Sequence, residues 1–96
     1  MTSKEKKLQK KIIDLLQSKG AFVIKTIVSS RSGLPDLIAC YKGNFISIEV
    51  KGESEVTALQ KYNIEQIKKA GGQAIVAYNI SEVIDLIENI SNRKNV

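Results

Sequence analysis

Two short apolar segments, residues 36–41 and 45–51, flank the tripeptide Lys42-Gly43-Asn44 near the middle of the chain. Apolar segments of this length around a glycine-bearing turn predict a β-hairpin. The preceding segment, 21–28, is rich in β-branched residues and predicts a further strand, followed by the loop Ser29-Ser30-Arg31-Ser32-Gly33. Because consecutive strands joined by short connections pair mostly antiparallel, this part of the chain is constrained to an antiparallel sheet.

Segments with helical patterns precede and follow these three predicted strands in the sequence. A first helix over residues 4–19 is indicated by apolar residues at helical spacing, namely Leu8, Ile12, Leu15 and Leu16. A second helix is predicted over 57–70, a fourth strand over 73–78, and a last helix over 81–91 with Ser81 as its N-cap. Because a strand–helix–strand unit implies a parallel crossover, the sheet should be mixed. We therefore expect an α/β fold with an αβββαβ core, helices flanking the sheet, and an additional C-terminal helix.

The composition excludes several classes of active site. The chain has 96 residues without repeats or linkers, so residues 1–96 are expected to form a single domain. It contains no histidine, which excludes Ser-His-Asp triads, histidine bases and histidine-bearing zinc sites. The single cysteine, Cys40, excludes an intrachain disulfide and a four-cysteine zinc site. Any catalytic site would therefore depend on carboxylates, lysines and a hydroxyl or amide group.

No segment of the sequence resembles a membrane span or a secretory signal. The longest uninterrupted apolar runs, Leu37 to Tyr41 and Ala74 to Tyr78, have five residues each, far fewer than a membrane span requires. The opening Met-Thr-Ser-Lys-Glu is not followed by an apolar region. We therefore expect a cytoplasmic protein that does not interact with membranes.

Positive charge is concentrated at the start of the chain. Residues 1–11 carry five lysines and one acid, a net charge of +4, whereas the whole chain carries +5. A basic segment at the start of a helix opposes the helix dipole, so helix stability does not account for it. Two interpretations are open: a solvated lysine face, or a surface that attracts phosphate groups.

The candidate chemistry lies in Gly33-Leu34-Pro35-Asp36 and in Glu49-Val50-Lys51. Strand alternation places Glu49 and Lys51 on one face of the third strand. With the turn centred near Gly43, residue 36 lies opposite this second segment, so two carboxylates and an ammonium group converge. Adjacent carboxylates need a proton or a cation between them, and Mg²⁺ with oxygen ligands fits metal-assisted hydrolysis of a phosphodiester. Each motif alone also fits an exposed strand face or a turn.

Two further polar residues face inward from the predicted helices. Glu5 lies on the apolar stripe of the first helix, so its carboxylate needs a partner or a metal unless the helix end frays into solvent. Gln60 shares a stripe with Ile64 and Ile67, but Thr57-Ala58-Leu59-Gln60 also fits a capping box for the second helix. For Gln60, helix capping and a role in lining the site are both open.

Together these pieces resemble the PD-(D/E)XK nuclease superfamily, and within it the minimal VRR-NUC domains related to archaeal-type Holliday junction resolvases. The matching pieces are Glu5 with Leu8-Gln9, Gly33-Leu34-Pro35-Asp36, Ile48-Glu49-Val50-Lys51, and Gln60. The resemblance spans residues 4–78 and implies a restriction-endonuclease-like fold.

Carried over residue by residue, the resemblance implies a site that binds Mg²⁺ or Mn²⁺. Asp36, Glu49 and the Val50 backbone carbonyl would ligate the metal, and Lys51 would assist water activation and stabilise transition-state charge. Glu5 would be an additional acidic catalytic residue, at the metal directly or through water, and Gln60 would steady the site. Minimal members of the family act as homodimers, which agrees with the two symmetry-related cuts that a four-way junction requires.

The expected function is therefore that of a metal-dependent endonuclease acting on branched DNA such as Holliday junctions. The residues expected to contact DNA are Lys4, Lys7, Lys11, Arg31 and Lys61. Base stacking is expected to contribute little, because Phe22 and Tyr78 fall in strands that should belong to the core. Two alternatives are open: a non-catalytic DNA-binding domain, and a sequence-specific restriction-type endonuclease.

Overall fold

The computed structural model describes residues 1–26 and 33–93. Within these ranges, three helices and four strands follow the predicted α/β order. Their bounds are α1 Ser3–Ser18, β1 Phe22–Lys25, β2 Leu37–Tyr41, β3 Asn44–Val50, α2 Ala58–Lys69, β4 Gln73–Ala77 and α3 Ile80–Arg93. The end of the first predicted strand and most of the loop after it lie outside the described residues. None of the described helices is both long and apolar enough to cross a membrane.

The four strands form one mixed sheet in the order β1-β2-β3-β4. β1 and β2 pair antiparallel, as do β2 and β3, whereas β3 and β4 are parallel. The helix α2 makes the crossover between the two parallel strands, which confirms the predicted mixed sheet. Because β3 and β4 run in the same direction, their carboxyl ends lie at the same edge of the sheet.

The hairpin between β2 and β3 closes with a two-residue turn rather than the predicted three-residue turn. Tyr41 pairs with Asn44, and the two turn residues, Lys42 and Gly43, have positive φ angles of 49° and 80°. Positive φ at both positions is typical of the tight turns that match the twist of a hairpin. Asn44 is therefore the first residue of β3, and its side-chain amide donates to the carbonyls of Tyr41 and Lys42 at 3.1 Å each.

The last helix begins at Ile80, and its N-cap is Asn79 rather than the predicted Ser81. Asn79 Oδ1 accepts a hydrogen bond from the Glu82 amide at 3.3 Å. Glu82 Oε1 in turn accepts from the amides of Tyr78 at 2.8 Å and Asn79 at 3.1 Å. This reciprocal capping box satisfies amides near the start of the helix. Ser81 consequently lies inside the helix.

The main core lies between one face of the sheet and the helices α1 and α3. Its buried side chains are Leu8, Ile12, Leu16, Leu37, Ala39, Tyr41, Ile46, Ile48, Val50, Ala77, Val83, Leu86, Ile87 and Ile90. The helix α2 packs against β4 on the opposite face. Ser47 and Glu49 point to this second face and are also buried, so β3 is covered on both sides.

Two aromatic residues that were expected in the core are exposed instead. The exposed fraction is 71% for Phe22 and 41% for Tyr78. Phe22 lies on β1, the edge strand farthest from β4, and points to the face on which α2 packs against β4. Tyr78 lies beyond the end of β4, just before α3. The assignment of both residues to the core is therefore wrong, and with it the reason for discounting base stacking.

Candidate active site

The register between β2 and β3 brings Asp36 and Glu49 together. Leu37 pairs with Ile48, so extending the antiparallel register by one residue places Asp36 opposite Glu49. Directly opposite residues point to the same face, here the face on which α2 packs. The Thr26 amide donates to the Asp36 carbonyl at 3.0 Å, which keeps this end of the hairpin aligned with the preceding strand.

The Asp36 carboxylate also contacts the backbone of β3. Its Oδ2 accepts a hydrogen bond from the Val50 amide at 2.8 Å. The amide and the carbonyl of one strand residue point toward the same neighbouring strand, so the Val50 carbonyl lies on the Asp36 side of β3. The two carboxylates and the backbone carbonyl that the resemblance implies as metal ligands therefore share the open end of the hairpin.

The segment before Asp36 is shaped by its contact with α2. Gly33 has a φ of +76°, and a Cβ atom at this position would lie 2.6 Å from Leu59 Cγ, so only glycine fits without displacement. The Asn63 side-chain amide, which is buried in α2, donates to the Gly33 carbonyl at 3.0 Å. Asn63 is a supporting residue that the sequence analysis missed.

Glu49 is a buried carboxyl group with incomplete hydrogen bonding. It is 4% exposed, and its Oε2 accepts from Gln60 Nε2 at 3.0 Å and lies 3.6 Å from Lys51 Nζ. Its buried Oε1 has no hydrogen-bond partner among the described residues. Burial, and then the adjacent Asp36 carboxylate, raise the pKa of Glu49 to about 7, against the opposing effect of Lys51.

This raised pKa predicts that Glu49 destabilises the metal-free protein at alkaline pH. Because the unfolded carboxyl titrates near 4.5 and the folded one near 7, the folded state binds more protons in this window. Below pH 4.5 the carboxyl group is protonated in both states and does not lower the free energy of unfolding. Between pH 4.5 and about 7 the free energy of unfolding falls by up to about 3 kcal/mol, because the unfolded chain ionises first. In EDTA, Glu49→Gln should therefore melt several degrees above wild type at pH values above 7 and no higher below 4.5.

The control for this thermal series is Glu88→Gln, which removes an exposed carboxyl on α3. It should change the melting temperature little at any pH. A Glu49→Gln advantage that is absent, or equal at acid and alkaline pH, would contradict the raised pKa.

Gln60 combines the two roles that the sequence left open. Its Oε1 accepts from the Thr57 amide at 2.9 Å, and its own amide donates to Thr57 Oγ1 at 3.1 Å, which forms the predicted capping box. Its Nε2 is then directed to Glu49. One side chain therefore caps α2 and fixes one carboxylate oxygen of the candidate site.

Glu5 is buried, as its position on the apolar stripe predicts, but it lies apart from the carboxylate pair. Its Oε2 accepts from the Gly52 amide at 2.8 Å and from Ser54 Oγ at 3.4 Å, and its Oε1 accepts from the Thr2 amide at 3.1 Å. The Gly52 and Thr2 amides lower the pKa of Glu5, and Lys51 adds a smaller effect in the same direction. The capping box from Thr2 to Glu5 was readable as Thr-x-x-Glu, and Gly52 was missed.

The donor set fits a hard divalent cation. Two adjacent carboxylates, one with a buried oxygen that lacks a hydrogen-bond partner among the described residues, require a proton or a cation between them. In residues 1–26 and 33–93, no group of three or more aspartate, glutamate, histidine or cysteine side chains is placed to share a metal ion. Glu5 is therefore not brought into one cluster with Asp36 and Glu49, and its ligation of a metal stays a prediction.

The residues predicted to contact DNA are dispersed over the surface. Lys4, Lys7 and Lys11 are exposed along one side of α1, and Lys61 is exposed on α2. Arg31 lies outside the described residues. Contact of these residues with DNA is not tested by the geometry.

Comparison with known proteins agrees with this geometry. The sequence model of the archaeal Holliday junction resolvase (Hjc) family matches residues 1–95. A solved structure described as a VRR_NUC domain is 30% identical, with a TM-score of 0.79 over 91% of this chain and 97% of that chain. No protein with curated annotation gives a significant match. The restriction-endonuclease-like fold and the resemblance to VRR-NUC nucleases are thereby confirmed.

Proposed function

Because the chain belongs to the archaeal Holliday junction resolvase family, we propose that it is a Mg²⁺- or Mn²⁺-dependent endodeoxyribonuclease that cuts branched DNA. The observation that carries this proposal is the buried Glu49 carboxyl group beside the half-buried Asp36, with Lys51 next to it. Burying one carboxylate next to a second, half-buried one raises the free energy of the folded protein, so packing alone does not explain the pair. A catalytic site in a nuclease family does explain it.

In the proposed site, Asp36, Glu49 and the Val50 carbonyl hold the cation. A divalent cation supplies Lewis-acid polarisation of the phosphodiester and of the attacking water. Lys51, whose side chain is 13% exposed, holds a positive charge next to Glu49, where it can stabilise negative charge that develops on the phosphate. Gln60 keeps the Glu49 carboxylate in place.

Glu5 has a positioning role in this proposal. Its hydrogen bond from the Gly52 amide fixes the chain immediately after Lys51, and the nearby charge of Lys51 contributes to the lowered pKa of Glu5. It is the additional acidic residue that the resemblance implies, and it acts here through Lys51 and Gly52.

The proposal includes a homodimer, since paired cuts across a four-way junction need two sites related by a twofold axis. We assign the second copy to the part of the sheet around β1 that residues 1–26 and 33–93 leave uncovered. Phe22 and Ile24 are 71% and 46% exposed there, opposite Cys40 and Ile38 on β2. An apolar patch on a sheet face is typical of a protein interface. This apolar patch lies on the same sheet face as Asp36. A dimer formed through it would therefore place the two candidate active sites at the edge of the same interface.

The test is a panel of DNA substrates incubated with purified protein in Mg²⁺ or EDTA: a four-way junction, a flap, a linear duplex and a single strand. We expect Mg²⁺-dependent nicks in opposite strands of the junction, little cutting of the duplex, and sedimentation at twice the chain mass. Binding without cleavage would instead support a DNA-binding domain. Cutting at one duplex sequence would support a restriction-type enzyme.

A further inference from the structure

A groove between α1 and the corner where β4 meets α3 lies outside the carboxylate site. It has a volume of about 310 Å³ and is lined by Lys4, Lys7, Lys11, Tyr78, Asn79 and Ile80. Three lysines thus form one wall, and an exposed aromatic residue stands on the other. The three lysines and Tyr78 do not belong to the hydrophobic core.

The groove begins beside the candidate active site. Lys4 Cδ lies 3.6 Å from where a Cβ atom on Gly52 would be, and the Lys51 amide donates to the Ala77 carbonyl at 3.0 Å, one residue before Tyr78. Both walls therefore start next to the backbone that follows Glu49. A DNA strand lying in the groove would therefore reach the backbone of Lys51 and Gly52, the segment that directly follows Glu49.

Most of the positive charge of the groove lysines is not neutralised by ion pairs. Among the described residues, Lys7 and Lys11 form no ion pair, and the pair of Lys4 with Glu53 is long, at 3.9 Å, and exposed. The Glu82 carboxylate accepts from the amides of Tyr78 and Asn79, just before α3, so these two amides are not available to a phosphate group. Lys4 and Lys11 are seven residues apart, which corresponds to about 10 Å along the helix axis.

We propose that this groove binds one DNA strand, with phosphates at Lys4, Lys7 and Lys11 and an unpaired base stacked on Tyr78. The proposal rests on the nuclease function and adds the path of the substrate strand. An aromatic side chain stacks on a base only when the face of that base is free, whereas duplex bases cover one another. The groove therefore favours strands with unstacked bases, as at a branch or a single-stranded end.

The lysine wall is tested against the other side of the same helix. Lys6 and Lys10 lie on the opposite flank of α1, next to Lys25 of β1, and Lys10 pairs with Asp14 at 3.1 Å. Changing either set of three lysines to glutamine removes the same charge. In EDTA, where no cleavage occurs, changing Lys4, Lys7 and Lys11 to glutamine should flatten the slope of log K for DNA binding against log salt concentration by about 2 to 3 units. Changing Lys6, Lys10 and Lys25 to glutamine should alter this slope by less than half as much.

The stacking contact is tested with single substitutions at Tyr78. Tyr78→Ala should weaken binding of an unpaired oligonucleotide about 5-fold or more, with little effect on a blunt duplex, and Tyr78→Phe should restore it. Tyr62→Ala is the matched control, because Tyr62 on α2 is 56% exposed, and it should leave DNA binding unchanged.

Equal effects of the two lysine triples would overturn the phosphate path, and equal weakening of duplex and unpaired DNA by Tyr78→Ala would overturn the stacking. Because binding is measured without metal, these results are independent of whether the protein cleaves DNA. Melting temperatures of all variants verify that each one is folded.

Discussion

Asp36→Asn and Glu49→Gln are each expected to abolish DNA cleavage while leaving DNA binding largely intact. Both changes keep the size of the side chain and remove a charge that would hold the cation. Loss of Lewis-acid catalysis should lower the single-turnover rate by about 10³-fold or more. Binding should be unchanged or slightly tighter, since an acidic group is removed beside a phosphate backbone.

The measurement is single-turnover cleavage of a labelled four-way junction, with fluorescence anisotropy in EDTA to follow binding. Asp85→Asn, an exposed carboxylate on α3, is the matched control and should cleave normally. Near-normal cleavage by Asp36→Asn or Glu49→Gln would contradict the assignment of the site.

Lys51→Ala is expected to lower cleavage by about 10²-fold or more, for a different reason. The carboxylates remain, so stabilisation of the protein by Mn²⁺ should persist in thermal unfolding, whereas Asp36→Asn should lose it. Lys51 also opposes the raised pKa of Glu49, so its removal should move the pH dependence of the residual cleavage to higher pH.

Lys51→Arg, which keeps the charge, should recover part of the rate. Loss of the Mn²⁺ thermal shift in Lys51→Ala would mean that the lysine supports metal binding rather than charge development in the reaction.

The hairpin explains why much of the site could be predicted from the sequence. A short turn fixes the register of two strands, and the period of two then sets which side chains share a face, so Asp36 could be placed opposite residues 49–51 from spacing alone. The helical period likewise directed Gln60 inward. The shorter turn shifts the register by one residue relative to a turn centred on Gly43, so Asp36 lies opposite Glu49 rather than opposite Val50.

Features that depend on the coverage of one element by another could not be predicted in the same way. The exposure of Phe22 depends on how far α2 extends over the sheet, and the partner of Glu5 is Gly52, far away in the sequence. The cap at Asn79 was missed because Ser81 is also a favourable capping residue. Local patterns identify the carboxylates, whereas tertiary packing determines what surrounds them.

Calorimetric titration of Mn²⁺ into the DNA-free protein at neutral pH tests most directly whether Asp36 and Glu49 hold the catalytic cation. The titration compares wild type with Glu49→Gln and with Asp85→Asn, which removes the same charge from an exposed position. We predict one bound ion per chain in wild type and in Asp85→Asn, and no measurable binding in Glu49→Gln. Equal binding by all three proteins, or none by wild type, would contradict the proposed metal site.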